Sequence, residues 1–347
     1  MLVQPRESAL PHLGDLLVIP RYEEVPKRSG DALSVATGSG SGYQRILLAV
    51  DGSAHSTAAA AAAADLASAN GAEVLVLHVW DSARTVVGQK WANAANKDWG
   101  GERSAADQLV SEVVSRLSSR GIAAKSSVRA AADVVASEIV AAVAEFRPDL
   151  VAVGSRGRRD LASFALGSVS HRVLARVNCP VLIGRSQGSG SHMPLTRILL
   201  AVAGNEGDAA AIEAASAVAV PAKAAVLVLH VLPTIGAVAG TPYMLPLVAT
   251  AEIVRPAADS VRGLGLKAEE MLVPGSAASG IVETAQANHA GMIVLGPGRR
   301  GSDLEGFLLG DVSHEVIHLS DRSVLMGATS RRKISSRVRA LAVNGKD

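Results

Sequence analysis

Arg45-Ile46-Leu47-Leu48-Ala49-Val50 returns unchanged 152 positions later as Arg197-Ile198-Leu199-Leu200-Ala201-Val202. Val74-Leu75-Val76-Leu77-His78-Val79 returns at the same offset as Val226-Leu227-Val228-Leu229-His230-Val231. Further on, Leu166-Gly167-Ser168-Val169-Ser170-His171 reappears as Leu309-Gly310-Asp311-Val312-Ser313-His314. A period of about 150 residues is the size of a domain rather than of a solenoid unit, so the chain reads as two copies of one domain. The copies differ at residues suited to holding a phosphorylated ligand, which implies an unequal division of function.

Of the 347 residues, 48% are hydrophobic, 19% charged and only 3% aromatic. Cores must therefore be built from Val, Leu, Ile and Ala, and a mostly disordered chain is excluded. Few aromatics and a net charge of +2 argue against nucleic-acid recognition, which needs stacking platforms or a strong positive field. Cys179 is the single cysteine, so no internal disulfide can form and a reducing, cytoplasmic location is expected. Cys179 precedes Pro180 and Val181-Leu182-Ile183 and reads as a structural thiol. No apolar run approaches the ~20 residues a bilayer needs. Arg6, Glu7 and Asp15 stand where a secretory apolar segment should lie.

The spacing predicts, in the first copy, strands near 46–50, 74–79, 123–128, 150–153 and 181–184, with helices near 54–69, 102–119, 133–146 and 168–177. The second copy repeats the strands near 198–202, 225–231, 267–273, 292–295 and 323–326. Alternating β and α with near-continuous apolar strands predicts an α/β fold with parallel sheets covered on both faces, doubly wound by right-handed crossovers. The expected domains are 44–186 and 196–328. Residues 1–43 form an N-terminal extension without a counterpart, expected to be flexible at Gly38-Ser39-Gly40-Ser41-Gly42. Residues 187–195 are a linker, and 329–347 a basic C-terminal tail.

In such sheets ligands bind beyond the carboxyl ends of the strands, at the topological switch point. The fourth strand runs into Gly154-Ser155-Arg156-Gly157-Arg158-Arg159, and nine residues separate Gly157 from Gly167. Gly154 and Gly157 allow close approach of backbone to a ligand. Ser168 falls where an N-cap belongs, ahead of unpaired amides at a positive helix end, which is an anion site. The first strand ends in Asp51-Gly52-Ser53, a carboxylate on the same edge that could accept from the amino group of a base. An acceptor at one end and a phosphate nest at the other describe a nucleotide. A glycine turn that merely joins strand to helix is the plainer alternative.

Asp51 together with Gly154-x2-Gly157-x9-Gly167-Ser168 resembles the ATP-binding branch of the universal stress protein family, and two β/α domains in tandem resemble its duplicated bacterial members. The resemblance implies two Rossmann-like (adenine nucleotide alpha hydrolase-like) domains, each a five-stranded parallel sheet with helices on both faces. It implies that Asp51 meets the adenine, that Val79 lies against the adenosine, and that Gly154, Gly157, Gly167, Ser168, Val169 and Ser170 surround ribose and phosphates. Arg156 adds positive charge, and ATP would bind with an optional magnesium ion. The same resemblance implies a stress-response regulator with an unidentified protein partner, expected as a homodimer, rather than an enzyme. A slow ATPase and a nucleotide-free scaffold are the competing readings.

The second copy departs from the pattern. Ala203 stands for Asp51, the loop reads Gly296-Pro297-Gly298-Arg299-Arg300-Gly301, and Asp311 replaces Ser168. Pro297 has no amide to donate, and a carboxylate at 311 is expected to cap the helix and repel phosphate. ATP is therefore expected in the first copy only. No Gly-x4-Gly-Lys-Ser/Thr occurs, and the turn after the first strand lacks Gly-x-Gly-x-x-Gly, which excludes P-loop and dinucleotide-binding readings. His78, His230, His171 and His314 lack the clustered carboxylates or cysteines of a metal site and are expected to pack or face solvent. No catalytic triad or carboxylate pair can be assembled. The strand order that the resemblance implies puts the short apolar strands 181–184 and 324–327 at sheet edges, where they are expected to meet.

Overall fold

The computed structural model describes residues 42–81, 99–131, 134–157, 166–186, 193–232, 237–238, 241–242, 247–298 and 310–328. Residues 1–41 of the N-terminal extension, Arg158, Arg159, Arg299, Arg300, Gly301 and the basic tail lie outside them. The first copy runs β1 (Arg45–Ala49), α1 (Ala54–Asn70), β2 (Glu73–Asp81), α2 (Trp99–Ser118), β3 (Ala124–Ala131), α3 (Val135–Phe146), β4 (Leu150–Gly154), α4 (Ser168–Arg176) and β5 (Val181–Gly184). The second runs β6 (Arg197–Ala201), α5 (Gly207–Ala222), β7 (Ala225–Leu232), β8 (Ala237–Val238), β9 (Thr241–Pro242), α6 (Leu247–Arg262), β10 (Ala268–Pro274), α7 (Ala277–Ala287), β11 (Met292–Leu295), α8 (Asp311–Leu319) and β12 (Ser323–Met326). All ten strands expected from the sequence form. The small antiparallel ladder of β8 and β9 has no sequence signal long enough to be read.

Each copy is a parallel sheet in the order 3-2-1-4-5, the doubly wound arrangement. The two sheets are joined into one of ten strands, β10-β7-β6-β11-β12-β5-β4-β1-β2-β3. The join is antiparallel, with Val181 opposite Met326, Leu182 opposite Leu325 and Ile183 opposite Val324. The meeting of the two short apolar strands is thus as expected. Strand chemistry explains which edges meet: β5 and β12 are buried throughout. The outer strands β3 and β10 carry Lys125, Ser126, Ser127, Glu269 and Glu270, polar groups that discourage further pairing.

One face of the sheet carries α1, α2, α5 and α6, the other α3, α4, α7 and α8, and each face's apolar core runs unbroken through both copies. The alanine-rich α1 lies unusually close to the sheet because its inward side chains, Ala59, Ala62 and Ala63, are small. Among the described residues, no helix is long and apolar enough to cross a membrane.

Candidate functional site

The sheet splits between β1 and β4, where the chain leaves for opposite faces, and Asp51 and Gly154 stand at that split. Gly52 turns the chain after β1 with φ 76°, a left-handed conformation that glycine adopts without strain. Asp51 then accepts a hydrogen bond on Oδ1 from Ser53 N at 2.9 Å. Its other oxygen faces the β4 loop: a Cβ built on Gly157 would lie 3.0 Å from Asp51 Oδ2. Glycine at 157 is what lets the carboxylate and the loop share this space. Ser53 is the true N-cap of α1, accepting from Ser56 N at 3.1 Å, and its hydroxyl donates to Arg156 O at 3.2 Å. The two loops are therefore stitched together before any ligand arrives.

The far side of the loop is fixed as firmly. Gly167 N donates to Ser155 O at 2.7 Å. The buried Ser170 hydroxyl donates to Gly154 O at 2.7 Å. Helix α4 starts at Ser168, with Gly167 in extended conformation (φ −65°, ψ 157°) as its N-cap. This corrects the expected role of Ser168: it is the first helical residue, exposed, and no side chain caps the helix. The anion logic survives, because the first-turn amides at Ser168, Val169 and Ser170 have no intrahelical acceptor. Asp311 likewise follows its N-cap, Gly310, and makes no capping bond. It acts by charge alone at the first turn.

Gly154 also has a different reason from the one expected. A Cβ there would lie 2.7 Å from Ser56 N, so the backbone of α1, not a ligand, occupies the space. Gly296 does the same in the second copy, 2.5 Å from Gly207 O. Val79 lies in β2 two residues beyond the last β1–β2 pair, Ala49 with Leu77, which places it beside Asp51 at the carboxyl edge, while β2 runs on to Asp81 along β3. Its side chain also packs on the core formed by α3 and α4. Arg156 is half-buried with its Nε buried and unbonded among the described residues. Asp51, Val79, Gly157, Gly167, Ser168, Val169 and Ser170 thus gather around one edge, with Gly154 and Arg156 at the root of the loop.

The second copy ties the turn after its first strand differently. Asp208, in the first turn of α5, accepts from Ala203 N at 2.9 Å, Gly204 N at 2.7 Å and Asn205 N at 3.2 Å. The amides after β6 thus share one carboxylate, at the position where the first copy has Ser56, whose hydroxyl accepts from Asp51 N at 3.4 Å while Asp51 itself takes Ser53 N. Asn205 Oδ1 in turn accepts from Gly207 N at 2.8 Å, so short polar side chains close this turn. His78 and His230 play equal parts in the two copies, their Nδ1 atoms 2.7 Å from Val50 O and 2.8 Å from Val202 O. No group of His, Cys, Asp and Glu among the described residues could hold a metal ion.

The family model described as the universal stress protein family matches residues 42–185 and 194–326. A universal stress protein of Thermus aquaticus is 32% identical over 143 residues, 41% of this chain and 99% of that protein. A universal stress protein of Mycobacterium tuberculosis strain H37Rv is 31% identical over 140 residues, 40% of this chain and 44% of that protein. Among solved structures, a universal stress protein from Archaeoglobus fulgidus DSM 4304 superimposes with a TM-score of 0.62 at 22% identity. It covers 82% of this chain and 98% of its own.

Proposed function

The chain belongs to the universal stress protein family, and on that footing we propose that it is a nucleotide-dependent stress-response regulator whose first copy alone holds ATP. Residues 44–186 then form the binding domain, and 196–328 a domain kept for structure and interaction. One observation carries the reading: Asp51, Gly157 and the open, uncharged first turn of α4 converge in the first copy, whereas the second has Ala203 in place of Asp51 and the Asp311 carboxylate in the first turn of α8. Asp51 would accept from the adenine amino group through Oδ2, leaving Oδ1 on Ser53. Val79 would lie against the adenosine. The amides of Ser168, Val169 and Ser170, with Gly167 and Arg156, would face the phosphates, with magnesium as an optional counter-ion. Among the described residues of the site, the one carboxylate, Asp51, is assigned to Ser53 and the base, and no other group stands as a general base for attack on phosphate, which favours a binder over a hydrolase. A cytoplasmic location and a homodimer complete the proposal.

Mass spectrometry of nucleotide released from freshly purified protein is the direct test, and recovery of no nucleotide together with no calorimetric binding would refute the reading. Titration calorimetry should give one ATP per chain; two equivalent sites would show that Ala203 and Asp311 do not disable the second copy. Sustained phosphate release would instead make the protein an ATPase.

Asp51→Ala should weaken ATP binding by about 1–3 kcal/mol and erode discrimination against GTP, the range for a hydrogen bond to a charged group. Asp51→Asn keeps an acceptor for Ser53 N and presents an amide donor to the base. It should therefore lose affinity while the turn survives. Unchanged affinity and base selectivity in both variants would reduce the carboxylate to shaping the turn.

A further inference from the structure

Arg185 follows directly on β5 and is only 5% exposed. Its side chain reaches across the seam into the second copy. Nε donates to Ser320 O at 2.9 Å and Nη2 to His318 O at 2.7 Å, both at the C-terminal end of α8. The last carbonyls of a helix have no intrahelical partner and carry partial negative charge, so a buried cation is well placed there. The remaining arm, Nη1, donates to Ser155 Oγ at 3.4 Å, inside the first copy's glycine loop. Ser155 in turn donates its amide to Gly184 O at 2.9 Å and accepts from Gly167 N at 2.7 Å. One guanidinium therefore touches the loop that precedes α4 and the helix end that closes the other copy.

Among the described residues this device exists once. Gly154 and Gly296 each lie under the first turn of the helix that follows the copy's first strand. Gly184 and Gly327 do the same one turn further on. Aligned on these glycines, His55, Ser155, Arg156 and Arg185 correspond to Gly207, Pro297, Gly298 and Ala328. None of the four replacements has a polar side chain. Among the described residues the second copy offers no cation at these positions to reach back with, and none caps the end of α4 at Val177. His55 completes the first-copy cluster: its Nδ1 accepts from Ser186 N at 3.0 Å, which leaves the hydrogen on Nε2.

We propose that Arg185 is a positioning residue that ties the first copy's ligand loop to the second copy's last helix, so that a nucleotide phosphate on the loop is felt at the C-terminal end of α8. The proposal rests on the nucleotide reading above. The electrostatics give it a direction. Burial foremost, and then the like charge of Arg156, hold the Arg185 pKa down to about 10, against a smaller opposing pull from Asp321. An anion on the loop offsets the Arg156–Arg185 repulsion and favours the guanidinium's grip on the α8 carbonyls. The helix so held carries Val312 and Leu319, the large apolar side chains exposed among the described residues, so a change at its end reaches a surface.

Hydrogen exchange on the full-length chain, with and without saturating ATP, tests this. In the parent protein ATP should slow exchange both in 150–157 and in 316–322. In Arg185→Gln the loop should still respond while 316–322 does not. A parent protein whose loop responds without α8, or a variant whose α8 response persists, would overturn the coupling. If neither region responds to ATP, the nucleotide reading fails, and the tie is judged without nucleotide: Arg185→Gln should speed exchange over 316–322 by about tenfold, the effect of freeing a helix end held by a charged donor. Unchanged exchange there would overturn it. Should Arg185→Gln not fold, Ser155→Ala cuts the tie from the loop side, and an undiminished α8 response in that variant is equally fatal.

Discussion

Leu182→Asp combined with Leu325→Asp is expected to part the two copies or unfold the chain. The two leucines face one another at the centre of the β5–β12 ladder, and both are 0% exposed. They sit in the core shared by α1 and α5. Each change removes a buried side chain and brings in a carboxyl with no cation across from it. Leaving such a charge unpaired costs about 3–5 kcal/mol per site, against a typical total stability of about 5–15 kcal/mol. The melting temperature should fall by about 10 °C or more, and the scattering radius should rise as the copies separate. Leu182→Met and Leu325→Met, which conserve volume, should each cost less than about 1.5 kcal/mol. An unaltered scattering profile and melting point in the double aspartate variant would mean that the seam does not hold the copies together.

Ser168→Asp should remove ATP binding while leaving the domain folded. The residue is exposed and is the first of α4, where an aspartate stabilises the helix by about 0.3–1 kcal/mol. The same charge opposes each nearby phosphate charge by about 1–4 kcal/mol, depending on the local dielectric. Affinity should drop by roughly tenfold to a thousandfold, with melting unchanged or slightly raised. Ser168→Ala, which keeps the amide and adds no charge, should bind nearly as the parent does. An aspartate variant with parental affinity would place the phosphates away from α4 and would deprive Asp311 of its supposed effect in the second copy.

The duplication and the ten main strands were legible because strands buried on both faces must be apolar along their whole length, and such runs repeat visibly. The meeting of β5 with β12 was legible once the family's strand order put them at edges, since Val181-Leu182-Ile183 and Val324-Leu325-Met326 have no polar residue to shield an edge; its antiparallel direction was not. The reasons for particular residues were harder to read. Gly154 looked like a ligand glycine, yet the backbone of α1 lies on it, and nothing local reports how close a helix will pass. The cap of α4 was misplaced by one residue because Gly167, with no side chain to bond, still takes the extended cap conformation. Arg185 was invisible, since its acceptors lie more than 130 positions away across the seam.

The seam has one more consequence, a matter of mass action. Were the halves separate chains, pairing β5 with β12 would depend on how much protein is present. Joined through the short stretch between Gly184 and Arg197, they meet at an effective concentration on the order of millimolar, whatever the dilution. Assembly then makes no demand on abundance. A symmetric dimer must also use one sequence on both sides of its axis, so any residue lost from one site is lost from both. The fused chain is released from that constraint. Ala203, Asp208 and Asp311 can accumulate on one side of the β5–β12 ladder while Asp51, Gly157 and Ser168 persist on the other.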